Sequence, residues 1–201
     1  MTQVIALAAE LRARAGKGTA RQTRRDGRVP AVIYGGKQTP VTISLNEREF
    51  VRILHQPGFF THLFDVTVDG ATHRVLPRDV QFHPVTDMPL HVDFLRVSAE
   101  TRITVNVPVE FVDQDKSPGL KRGGVLNIVR HEVEVTCGAD NIPEHLTISC
   151  EGFDVGASIH ISAVKMPAGV QPTITDRDFT VATIVAPSGL KSEEGAEAAA
   201  S

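Results

Sequence analysis

The sequence predicts a mainly β protein: a mixed, largely antiparallel domain with one or two short helices, followed by an all-β domain. Three observations lead there. Short apolar runs alternate with polar residues along much of the chain, which is the period of a strand with one buried face. Gly and Pro punctuate those runs, with 16 Gly and 12 Pro among 201 residues. The charge then divides the chain. Residues 1–97 carry 13 Lys/Arg against 9 Asp/Glu, a balance of +4, and residues 98–201 carry 8 against 15, a balance of −7. Such asymmetry points to two domains with different partners.

Taken in order, residues 3–11 read as a strand, 29–35 as a second with Pro30 near its start, and 41–45 as a third. Asn46 followed by Glu49 has the pattern of a helix cap, and Phe50, Val51, Ile53 and Leu54 give the short helix an apolar side. Pro57-Gly58 ends it. Asp65–Val68 and Thr72–Phe82 flank Asp69-Gly70, a hairpin turn signal. Residues 84–89 form a loop and 90–97 a further strand. Beyond Ser98, alternating segments recur at 103–109, 133–137, 146–150, 159–161 and 179–182. From Pro187 the chain turns to Ser, Gly, Glu and Ala with no pattern to bury, so 187–201 is expected to be a disordered acidic tail. The domain boundaries expected on this reading are 1–97, 98–186 and the tail.

Several function classes recede at once. No apolar stretch reaches the roughly 18–20 residues of a membrane helix, and the N-terminal apolar run is too short and wrongly flanked for a secretory signal. Cys137 and Cys150 are the only cysteines, too few for a disulfide scaffold or a four-cysteine zinc site, and are expected to be small buried hydrophobes in a reducing, cytoplasmic compartment. No nucleophile elbow, zinc-protease helix or Cys–His pair is present. Asp113 and Asp115 sit in an apparent loop and read as solvated. Neither an enzyme nor a cofactor is expected, and an enzyme with a dispersed site is the weakest of three readings.

The strongest local signal is basic. Between Arg12 and Arg28 stand Arg12, Arg14, Lys17, Arg21, Arg24, Arg25 and Arg28 against the single acid Asp26, or +6 in seventeen residues. Gly16-Lys17-Gly18-Thr19 reads as a turn with Thr19 as a helix cap, and Gly27 closes the helix. Arg21, Arg24 and Arg25 fall at i, i+3 and i+4, one helical face. The segment has no apolar stripe and about two turns, too short to hold alone in water. It is therefore expected to become helical on binding a polyanion. Arg also presents a planar fork suited to phosphate and guanine edges, where solubility alone would be served equally by Lys. Nucleic acid is the ligand these features fit, and RNA if irregular sites are read.

His91 and Asp93 share a strand face at i, i+2, and with His83 nearby they raise a metal site. Lacking a fourth ligand, they read better as a carboxylate that orients an imidazole. Tyr34, the only tyrosine, ends its strand before Gly35-Gly36 and is either a core aromatic or a hydroxyl offered to a nucleotide.

Together, Glu10-Leu11-Arg12, Gly16-Lys17-Gly18, Arg21, Arg24-Arg25, Val29-Pro30-Ala31-Val32-Ile33-Tyr34-Gly35, Asp79-Val80-Gln81, His83-Pro84 and His91-Val92-Asp93-Phe94 resemble the family of bacterial large-subunit ribosomal protein number twenty-five. Val107-Pro108-Val109, Lys121-Arg122-Gly123-Gly124, Asp140-Asn141-Ile142-Pro143 and Met166-Pro167-Ala168-Gly169-Val170 extend the resemblance to the long, two-domain CTC or general-stress form, over about residues 4–185. The resemblance implies an N-terminal β-barrel and a ribosome-bound, non-catalytic protein that docks on 5S ribosomal RNA at its loop E among other components of the large subunit. It assigns RNA contacts to Arg12, Lys17, Arg21, Arg24 and Arg25, with Tyr34, His91 and Asp93 hydrogen-bonding on the barrel surface. It implies no metal, small-molecule substrate or membrane. Gln22-Thr23 stand where the family commonly has Arg and Leu, and Cys137-Gly138-Ala139 where it commonly has Cys-Leu-Pro. The alternative is a stress-induced protein–protein adaptor that binds RNA weakly.

Overall fold

A computed structural model of the chain describes residues 4–12, 14–98 and 101–186; the expected tail lies outside them. The described residues divide into two compact units. One holds the chain through Val105 together with Thr136–Glu144, and the other holds Asn106–Val135 and the chain from His145 onward.

In the first unit six strands close into a barrel: β1 (Val4–Leu11), β2 (Arg28–Tyr34), β3 (Val41–Asn46), β4 (Leu63–Val68), β5 (Ala71–Phe82) and β6 (Pro89–Arg96). Helix α1 (Lys17–Arg25) joins β1 to β2, and α2 (Glu47–Leu54) follows β3. The order around the barrel is β1-β3-β2-β6-β5-β4, with β4 returning to β1. The pairs β1/β4 and β2/β6 are parallel and the other four antiparallel. Closure leaves no open sheet edge in this unit's barrel.

Local chemistry accounts for the joints. Asn46 Oδ1 accepts from the backbone N–H groups of Arg48 and Glu49, capping α2 and letting Phe50 reach the core. Asp69 and Gly70 both adopt positive φ, 46° and 85°, the geometry that a two-residue hairpin requires. Pro30 is tolerated inside β2 because the pairing with β6 begins only at Ala31. Alternate residues fill the interior: Ala31 and Ile33, Ile43 and Leu45, Phe64 and Val66, Val92 and Phe94. The Phe50–Phe59, Phe59–Phe64 and Phe64–Phe94 ring centroids lie 5.7, 5.4 and 6.2 Å apart. Each such buried ring contributes about 2–3 kcal/mol by area.

From Arg102 onward the strands are β7 (Arg102–Val112), β8 (Val125–Ile128), β9 (Glu132–Gly138), β10 (Leu146–Ser149), β11 (Ser158–His160), β12 (Gln171–Pro172) and β13 (Thr180–Val185). They form two sheets, β10-β7-β9-β12 and β11-β13-β8. Cys137 and Cys150 are free and buried, and burial pushes both thiols up from their ordinary pKa. Several features depart from the sequence reading, two of them in the segments that follow β7 and precede β9. The segment taken for a solvated loop holds a 3-10 turn at Gln114–Lys116 and the one-turn helix α3 (Pro118–Lys121). Its cap, Ser117, is fully buried, with Oγ accepting from Leu120 N–H and donating to the Phe153 carbonyl. Strand β8 was also missed, because Val125-Leu126-Asn127-Ile128-Val129 carries too many apolar residues for its alternation to stand out.

Candidate nucleic-acid interface

Helix α1 begins at Lys17, two residues before the expected cap. Thr19 is therefore inside the helix, and its hydroxyl donates to the Gly16 and Arg14 carbonyls at 2.9 and 3.2 Å. Capping by Thr19 is thus corrected: Gly16 is the N-cap and makes no side-chain bond. At the other end Gly27, at φ 70°, takes the left-handed stop position, with its N–H on the Arg24 carbonyl. Gln22 Nε2 donates to Asp26 Oδ1 at 2.9 Å, so the one acid of the segment is engaged locally.

No residue of α1 is fully buried, yet Ala20, Thr23 and Arg24 are half-buried at i, i+3 and i+4. This is a packing stripe made of a methyl, a threonine and the aliphatic stem of an arginine. The expectation of a single arginine face is corrected accordingly. Arg24 turns toward the barrel, while Lys17, Arg21, Gln22 and Arg25 are exposed.

The seven clustered bases sort by what they touch. Arg28 belongs to the barrel: Nη1 meets Glu10 Oε1 at 2.8 Å, while Nε and Nη2 donate to the hydroxyl and carbonyl of buried Ser44. Arg24 Nη1 donates to the Leu90 carbonyl of β6 at 3.0 Å. Arg12 continues β1 by exchanging bonds with Thr42, and its Nε and Nη1 are buried with no acceptor among the described residues. Arg14, Lys17, Arg21 and Arg25 are exposed.

The register of the barrel links these cations to the residues proposed on its surface. Arg12 is bonded to Thr42, Thr42 pairs with Val32, Val32 with Asp93, and Asp93 with Asp79. Arg12 and Asp93 therefore share one lateral row. Because Val92 and Phe94 fill the interior, His91 and Asp93 project outward, and His91 Nδ1 stands 2.6 Å from Asp93 Oδ1. Gln81 pairs with His91. Tyr34 lies on the same outer side of β2 as Val32. Burial, then the charge of Asp93, raise its phenol pKa, Arg78 opposes this, and Asp79 raises it further. Tyr34, His91 and Asp93 are thus brought together, and the Arg24 bond to Leu90 sets the C-terminal part of α1 beside them. Asp79 and Gln81 were missed as neighbours, since only the β5–β6 register reveals them, and so was Arg78, which sits at the register shift between Pro77 and Asp79 and reaches Tyr34 by its charge.

His83 is not part of this face: its Nδ1 accepts from the Val85 and Thr86 N–H groups, closing its own loop. Among the described residues no group of three or more His, Cys, Asp or Glu is arranged to hold a metal ion, and no helix is long and apolar enough to cross a membrane.

Comparison with known proteins adds a second line. The Ribosomal L25p family model matches residues 7–94, and the model of the ribosomal protein TL5 C-terminal domain matches 102–188. The large ribosomal subunit protein bL25 of Novosphingobium aromaticivorans is 60% identical over 195 residues, 97% of this chain and 96% of the relative. Those of Rhodospirillum rubrum and Chelativorans sp. are 57% and 55% identical, each covering 100% of this chain and 97% and 96% of the relative. By these matches the chain belongs to the bL25 family of bacterial large ribosomal subunit proteins, in its two-domain form.

Proposed function

We propose that this protein is a structural constituent of the large ribosomal subunit that binds 5S rRNA, at the loop E region, through α1 and the outer face of β2, β5 and β6. The observation that carries this reading is the union of two unlike surfaces: exposed α1 cations beside an outer barrel face bearing Tyr34, His91 and Asp93. Cations alone bind any phosphate backbone. A carboxylate set among them repels phosphate, so it favours a site where base N–H donors are presented, as they are where RNA departs from regular pairing. The buried Nε and Nη1 of Arg12, without an acceptor among the described residues, are donors that an RNA oxygen would satisfy. Arg12, Lys17, Arg21 and Arg25 carry the phosphate and guanine contacts in this reading, exposed Arg14 adds a fifth cation to the phosphate contacts, and Arg24 borders them. The first domain, 1–97, makes the RNA contact. The second, 98–186, with its excess of acids, faces other components of the large subunit, and the protein resides on cytoplasmic ribosomes.

The test is binding of the full chain to 5S rRNA with tRNA as competitor, together with chemical footprinting of the complex. Protection confined to loop E, surviving excess tRNA, is expected. Equal binding to both RNAs, or footprints elsewhere on 5S rRNA, overturns the reading.

A further inference from the structure

Helix α1 meets the barrel with little to hold it. Its half-buried side chains are Ala20, Thr23 and Arg24, and the first two offer one methyl each. Its other side-chain hydrogen bonds stay within the segment: Thr19 to Gly16 and Arg14, Thr23 to Thr19, Gln22 to Asp26. Among the described residues, the Arg24 Nη1 bond to the Leu90 carbonyl is the one that runs from an α1 side chain to a barrel strand. It is part-buried and lands on the residue preceding His91, so it fixes the helix at the His91–Asp93 end of the face.

We infer that Arg24 is a positioning residue: it sets the rotation of α1 on the barrel and so aims Arg21 and Arg25 away from it, without itself neutralising a phosphate. The helical wheel supports this. Residues 20, 23 and 24 form the inward arc, so a rotation that released Arg24 would carry Arg21 and Arg25 off the outward arc with it. Lysine cannot replace arginine here. The guanidinium is a planar fork on a long stem that reaches a carbonyl while the stem packs, whereas an ammonium is a compact, strongly hydrated charge. The inference rests on the RNA reading above for its consequence, but the anchor can be measured in the free protein.

The experiment compares Arg24→Ala, Arg24→Lys and Arg21→Ala in the full chain. Amide exchange of residues 19–25 is read without RNA, and the salt dependence of 5S rRNA affinity is read with it. For Arg24→Ala and Arg24→Lys alike, exchange over α1 is expected to quicken about tenfold and 5S rRNA affinity to fall by a similar factor, because the RNA must then re-aim Arg21 and Arg25 on binding, while the slope of log K against log[salt] stays at the wild-type value. Arg21→Ala should show the reverse, with exchange unchanged and a slope shallower by about 0.7 to 0.9, one counterion. Lysine restoring wild-type exchange, Arg24→Ala flattening the slope by a full charge, or unchanged exchange in both Arg24 variants overturns the inference. If the wild-type chain fails to bind 5S rRNA, the RNA reading falls, while the exchange arm still decides whether Arg24 anchors the helix.

Discussion

His91 Nδ1 and Asp93 Oδ1 stand 2.6 Å apart on the outer face of β6, each side chain about one third exposed. The strand itself makes the pair, since residues two apart share a face. With Nδ1 held by the carboxylate, the ring offers Nε2 outward in a fixed direction. Asp93 has one oxygen engaged, leaving the other to accept from a base donor.

Replacing Asp93 by Asn should therefore weaken 5S rRNA binding by about 1 kcal/mol, the worth of an oriented hydrogen bond at a partly exposed position. The salt slope should not change, because no cation is removed. A tighter complex in the variant would mean that the carboxylate only repels the RNA.

The sorting of the basic cluster gives a salt dependence. Arg28 is committed to Glu10 and Ser44, and Arg24 to Leu90. Arg12, Arg14, Lys17, Arg21 and Arg25 remain, so five neutralised phosphates set a slope of roughly −3.5 to −4.5 in a log–log titration. A slope near zero would remove α1 and its flanks from the contact surface.

Arg28 should act on stability instead. Glu10 is mostly exposed and contributes little, but the two bonds to Ser44 satisfy a residue that is 4% exposed. Arg28→Ala is expected to lower unfolding stability by about 1–2 kcal/mol, read from the midpoint of urea denaturation. Its salt slope with RNA should equal wild type; a loss of slope would make Arg28 a phosphate contact.

These residues also show how far the sequence could be read. Features closed within a few residues were legible: the Asn46 cap, the Asp69-Gly70 turn, the His91–Asp93 spacing, and the strands whose alternation is clean. Features set by distant partners were not. Nothing near Arg24, Arg25 or Arg28 says which of them meets Leu90, sixty-six residues away from Arg24, or Ser44, sixteen from Arg28. The parallel pairing of Val4 with Leu63 that closes the barrel is equally remote. The helix α3 was missed for a different reason. Its four residues carry no periodicity, and its stability comes from the buried Ser117 hydroxyl and the backbone it touches.

That close backbone approach is testable at Gly119. A Cβ there would lie 2.7 Å from Asp154 C and Val155 N, and neither is a side chain that can swing aside. Gly119→Ala should cost about 1–3 kcal/mol in strain and displaced backbone, seen as a lowered thermal midpoint. Unchanged stability would mean that α3 shifts freely at this point.

Tyr34 provides a probe of the face itself, because the chain has one tyrosine and no tryptophan. Its phenol is raised above the usual 10.0 first by burial and then by Asp93, so the charged form is disfavoured in the folded protein. Below pH 10 both folded and unfolded chains keep the proton, and the contacts of the neutral phenol contribute in full. Above it the unfolded chain ionises first, so that contribution is lost as pH rises through the folded value. Titrating tyrosinate absorbance of the native chain should give a midpoint above 10. Asp93→Asn should lower the midpoint without bringing it to the unfolded value, because the burial contribution persists. A wild-type midpoint at or below 10 would show that Arg78 outweighs both, and that Tyr34 presents an ionisable rather than a firmly neutral hydroxyl to whatever binds this face.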